Sequence, residues 1–149
     1  MNLIYTIGGN KKQRELVSDV AYFCIDKLMP RMKTLDVEIQ INNLKNNTAG
    51  YCMMADDNRT FELEVNKKLD IVEMITTICH EMVHVKQYAR NELGINKNHD
   101  GQNYFDLPYE KEAYELQEVL LKEYEEYKKR EQKRNKKKEY MKTKREKKL

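Results

Sequence analysis

Several things are scarce in this chain, and each scarcity narrows what it can be. Its three cysteines, Cys24, Cys52 and Cys79, are an odd number without framework spacing. That excludes a small disulfide-stapled scaffold and reads as buried thiols of a reducing compartment. No apolar run is long enough to span a bilayer, so no membrane association is expected. The opening Met1-Asn2-Leu3-Ile4-Tyr5-Thr6-Ile7 is too short and lacks a basic lead, so it is not expected to be a signal peptide, and a cytoplasmic location follows. Internal repeats are absent. At 149 residues the expectation is one domain, long enough to bury a modest core.

Histidine is also rare, at three residues, and two of them stand in one pentapeptide, His80-Glu81-Met82-Val83-His84. On a helix, residues four apart lie one turn above each other on the same face. Two imidazoles so placed can grip one metal ion, and the Glu between them can reach a water activated there as general base. The surroundings suit a helix: Ile71, Met74, Ile75, Ile78, Met82, Val85 and Leu93 repeat at the helical period. Val72, Cys79, Val83 and Ala89 widen that stripe nearly all round, as in a helix buried on most sides. Cys79 adjoins His80, but neighbouring helix positions diverge by about 100°, which makes it a poor co-ligand. The plain alternative is a buried helix with two incidental histidines.

A catalytic zinc site needs a third protein ligand and keeps a fourth position open. The segment Leu107-Pro108-Tyr109-Glu110-Lys111-Glu112-Ala113-Tyr114-Glu115 offers candidates, with Pro108 suited to a helix's first turn. An apolar face of Tyr109, Ala113, Leu116, Leu120, Tyr124 and Tyr127 follows. Glu112 borders that face beside small Ala113, so Glu112 is the expected ligand. Glu110 and Glu115 are expected to point elsewhere, Glu115 being the nearer rival. The third histidine, in His99-Asp100-Gly101, sits among Asn96, Asn98, Asp100 and Gly101, which read as turn.

His80-Glu81-x-x-His84 followed by a Glu-Ala pair early in a later helix resembles the gluzincin type of zinc metallopeptidase. The runs Thr77 to Tyr88 and Leu107 to Tyr114 are similar to small phage-encoded metallopeptidases grouped with SprT-like domains and with the ImmA/IrrE type. The likeness covers about residues 10 to 121. It implies a zinc enzyme acting on a protein or peptide substrate, with His80, His84 and Glu112 as ligands and Glu81 as base. For a viral protein the compartment is the host's cytoplasm. Tyr114 and Tyr88 are candidate oxyanion donors. Larger gluzincins often carry an acid four residues beyond the Glu ligand to orient a histidine; here Leu116 stands there, leaving Glu115 or Glu73 as candidates for that task. SprT-like proteases use a third His followed by Gly, which keeps a DNA-associated protease with His99 as ligand open.

The expected order is a helix from about Asn10 to Met29, three strand-like stretches, the metal helix and the ligand helix. The stretches are Val37 to Ile41, Ala49 to Ala55 and Phe61 to Val65, separated by turn chemistry at 42–48 and 56–59. This is an α+β arrangement with a small three-stranded, mainly antiparallel sheet, the zincin-like core. Leu3 to Ile7 reads only as a short extended piece. Phe61 to Val65 is a candidate sheet edge beside the cleft, able to pair with a substrate backbone.

The metallopeptidase domain is expected over 1–121, with a basic tail, helical or disordered, over 122–149. That tail holds 14 Lys or Arg against 6 Glu, a net of +8; since the whole chain is +3, residues 1–121 carry −5. Such a tail can hold nucleic acid through phosphate contacts, or it can be a solvated extension laced with Glu-Lys pairs. Two further readings therefore stand beside the enzyme: a non-catalytic nucleic-acid-binding module with a structural metal, and an interaction protein with no metal.

Overall fold

A computed structural model describes residues 1–92 and 107–147. It is an α+β structure of a four-stranded mixed sheet and three helices. In chain order these are β1 (Leu3–Gly8), α1 (Lys11–Leu28), β2 (Asp36–Asn42), β3 (Gly50–Met54), β4 (Thr60–Asn66), α2 (Ile71–Ala89) and α3 (Pro108–Lys147).

The alternation of β2 and β4 decides which side of the sheet is covered. Val37, Ile39 and Ile41 pair in register with Phe61, Leu63 and Val65, and all six are buried. The residues between them face the other way, where Gln40 donates to Glu62 (2.9 Å) and Asn42 to Glu64 (2.8 Å). The apolar face carries α1 and α2, whose Val17, Val20, Cys24, Met74, Ile78 and Met82 complete the core. Both helices begin at a capping box, Asn10 with Gln13 and Asp70 with Glu73, so side chains satisfy backbone N–H groups that the first turn leaves open.

The sheet differs from the expected three antiparallel strands. Leu3–Gly8 is a true strand, parallel to β2, and β2 is parallel to β4; only β3 runs antiparallel, in the order β1-β2-β4-β3. Helix α1 returns the chain so that β2 runs parallel to β1, and β3 reverses it at the sheet edge so that β4 enters between β2 and β3 in the direction of β2. Gly8 and Gly9 make the strand-to-helix bend at φ +84° and +57°, backbone that side-chain-bearing residues rarely adopt. Phe61–Val65 is accordingly an interior strand, paired on both sides, and the edge beside α2 is β3.

Helix α3 packs on α2 through Ala113 and Leu120, and Tyr124 donates to Asp19 of α1 at 2.6 Å. It continues unbroken through residues 121 and 122, so the change in composition falls inside one helix. Among the described residues no helix is long and apolar enough to cross a membrane.

Candidate metal centre

Burial of α2 on most sides holds His80, Glu81 and His84 at the floor of a cleft between β3 and α3, all three buried. Their ligand atoms lie within 4.8 Å of one another, so the group can hold a metal ion. A second carboxylate comes closer. Glu110, in the first turn of α3, brings Oε1 to 2.6 Å from His84 Nε2 and Oε2 to 3.4 Å from His80 Nε2, while the two Nε2 atoms stand 3.2 Å apart.

The far nitrogens of both rings are occupied. His84 Nδ1 lies 2.8 Å from Gln87 Oε1. The Gln87 amide is oriented by its own donations to the Tyr109 carbonyl (2.8 Å) and to Glu112 Oε1 (3.0 Å), so its oxygen must be the atom facing His84. In the same way His80 Nδ1 lies 2.8 Å from Gln117 Oε1, and Gln117 Nε2 donates to Glu118. An amide oxygen only accepts, so each Nδ1 carries a proton and each ring turns its Nε2 inward, toward the other ring and Glu110. Three electron-rich groups thus converge, and Glu110 Oε2 is buried without a hydrogen-bond donor. Such a set repels itself unless a cation lies among its members. Burial and the neighbouring His84 hold His80 below the usual imidazole range, so this ring does not supply that cation by taking up a second proton at neutral pH. Two imidazoles and one carboxylate suit a divalent transition metal.

The structure brings Glu110 to the histidine pair and does not bring there the expected ligand Glu112. Its carboxylate turns to Lys86 Nζ (3.1 Å) and to Gln87, on the flank of the site. Burial works to raise its pKa, but the hydrogen bonds from Gln87 and Lys86 outweigh this and hold it low. On a 100° wheel Glu110 stands about 60° from Ala113 and Glu112 about 100°. With Ala113, Gln117, Leu120 and Tyr124, Glu110 forms a stripe of spacing three and four, which was the signal available for it. Neither Glu115 nor Glu73 orients a histidine: Glu73 caps its own helix, and the orienting groups are Gln87 and Gln117. His99 lies outside the described residues.

Glu81 lines the cleft on both sides of the His pair, with Gly50, Cys52 and Tyr88 on one side and Thr77, Tyr114 and Gln117 on the other. Burial, then the charge of Glu110, pushes its pKa up to about 8. The Tyr114 ring packs at a tilt of 58° against the His80 ring, centroids 4.6 Å apart, and Tyr88 lines the cleft beside Cys52. Burial first, with nearby acidic groups adding, raises both phenols, so each keeps its hydroxyl hydrogen at neutral pH. Cys79 turns away from the site toward Cys24, at 3.8 Å between sulfurs, and all three cysteines are free. Gly50 lets β3 approach: a Cβ there would meet the Glu64 carbonyl at 2.7 Å and Thr77 Cγ2 at 2.8 Å.

Compared with known proteins, the chain matches no family model, no curated protein and no solved structure.

Proposed function

We propose that this protein is a zinc metallopeptidase that hydrolyses peptide bonds, with His80, His84 and Glu110 as the metal ligands and Glu81 as general base. One observation carries the reading: two imidazole Nε2 atoms and an orphaned carboxylate meet beside a second, proton-accepting carboxylate in an accessible cleft. A purely structural site would close its coordination with a fourth protein ligand. Among the described residues the other buried acid beside the pair is Glu81, which follows His80 in the pentapeptide and in this reading serves water instead.

Bound here, zinc supplies Lewis acidity, polarising a carbonyl and making water a competent nucleophile near neutral pH. Gln87 and Gln117 fix the tautomer and tilt of the rings that hold it. Glu81 takes a proton from the attacking water on its carboxylate and passes it to the departing amine nitrogen. Tyr88 and Tyr114 are placed to donate to the carbonyl oxygen as negative charge grows there. Among the described residues β3 pairs only with β4, and its other edge, where Gly50, Tyr51 and Cys52 line the cleft, offers main-chain groups to an extended substrate.

The test is metal analysis of purified protein alongside cleavage of an unfolded protein such as labelled casein. The reading expects about one zinc per chain and cleavage that Glu81→Gln abolishes while zinc stays bound. Absence of zinc after titration with the ion sinks the site; full zinc with no cleavage of any unfolded protein leaves a structural metal and sinks the enzyme.

A further inference from the structure

The distal part of α3 serves no purpose in the site. Among the described residues its last buried side chain is Tyr124 and its last link to the rest of the fold is Lys128, whose Nζ lies 3.2 Å from Asp19; residues 132–147 are exposed throughout. The helix therefore leaves the body as an arm, and from residue 129 to 147 that arm measures about 27 Å.

Its charges are sorted by face. Projected at about 100° per residue, ten of the twelve Lys and Arg between 128 and 147 fall in a sector about 200° wide that contains no acid. Glu131, Glu139 and Glu146 share the remaining sector with Lys128 and Lys142. Within the basic sector Arg130, Arg134 and Lys138 follow one another at four-residue steps, so like charges stack along the helix and oppose its formation. A solvated extension laced with ion pairs would intermix its charges; this one segregates them.

We propose that residues 128–147 form an arm that binds the phosphate backbone of a duplex nucleic acid, independently of the chemistry assigned to the cleft. A duplex presents about one negative charge per 1.7 Å, dense enough to match a helix face of this charge. A membrane surface fits worse, since an interfacial helix needs an apolar face and this arm offers only Tyr140 and Met141. Single strands fit worse too, because Tyr140 is the lone aromatic on residues 132–147 for bases to stack on. The acidic body of a second copy is a weaker match: Glu62 and Glu64 on its open sheet face already accept hydrogen bonds from Gln40 and Asn42.

The experiment is fluorescence anisotropy of labelled duplex DNA and duplex RNA of about 20 base pairs against the full chain over a salt series. The comparison is the fourfold variant Arg134→Gln, Lys137→Gln, Lys138→Gln, Arg145→Gln, with Lys67→Gln, Lys68→Gln on the body as control. Binding by the wild type should weaken steeply with salt. The variant's log–log slope should be shallower by about 3 to 4, at 0.9 per lost phosphate contact, while the control is unchanged. DNA and RNA arms tell which duplex is preferred. Circular dichroism should show helicity rising on adding duplex to the wild type. Equal binding by variant and wild type overturns the proposal. So does tighter binding to single strands or to phosphatidylserine vesicles than to duplex, or salt-sensitive self-association in sedimentation without duplex binding.

Discussion

Helix α2 is buried at twelve of its 19 residues, whereas α3 is buried at four of 40, and the site is assembled where the two meet. In α2 the ligands are neighbours on one turn, and apolar contacts on most sides leave the helix no freedom to rotate. In α3 the contact is a single narrow stripe, so which of its carboxylates enters the cleft depends on the rotation at which the helix docks. A site that takes ligands from both helices inherits local certainty from one and a docking problem from the other.

The comparison can be broken hardest at Glu81, the α2 residue with a chemical task. Glu81→Gln should cut hydrolysis by about 100- to 10,000-fold with metal content unchanged, read by steady-state cleavage beside metal analysis. Loss of metal in that variant would mean Glu81 is a ligand and the division of labour is wrong. The next largest effect separates the two α3 candidates. Glu110→Gln should weaken zinc binding by more than about a hundredfold in a competitive titration, beyond the 10- to 100-fold that follows loss of a merely orienting group. Glu112→Gln should cost less than about tenfold, acting only through Gln87. A reversal of those two results would restore Glu112 as ligand.

Smaller effects sharpen the contrast. Gln87→Leu and Gln117→Leu should each lower zinc affinity by about 10- to 100-fold, because the rings lose the acceptor that sets their tautomer. Gln87→Leu should be the more costly, since that amide also holds the Tyr109 carbonyl and so ties α3 to α2. The smallest effect concerns pH in the metal-free protein. Glu81 titrates near 8 when folded against an ordinary value of 4.5, so the folded state holds this proton more tightly than the unfolded one. Its contribution is fully present below the ordinary value and is lost as pH rises to about 8. The melting temperature of metal-free protein should fall over that window relative to Glu81→Gln, and added zinc should flatten the difference. A wild type that tracks the Gln variant at every pH would place Glu81 in water.

Legibility followed locality. The helix from about Asn10 to Met29, the apolar stripe around the His80 pentapeptide and the stretches at 37–41 and 61–65 rest on patterns local in the chain, and the structure has an element at each. The strand at Leu3–Gly8 was visible only as an extended piece because its partner β2 lies beyond a whole helix. Phe61–Val65 read as an edge for the same reason: its flanking neighbours come from 36–42 and 50–54, and nothing inside the strand says that both sides are taken. Glu112 was preferred for its neighbour Ala113, although the spacing of Glu110, Ala113, Gln117 and Leu120 carried the better signal. Gln87 and Gln117 passed unnoticed because a carboxylate was expected to orient the rings, and an amide oxygen accepts the same hydrogen bond.

By itself the amino-acid order determined that His80 and His84 share a helix face with Glu81 between them, because four residues make about one turn wherever the helix sits. It also set the separation of charge along α3. Only the tertiary structure decided that Glu110 joins the imidazoles, that two glutamines hold them, and that β3 borders the cleft. Those outcomes depend on how helices and strands distant in sequence pack, and packing is settled by shape and burial across the whole core, beyond any local pattern.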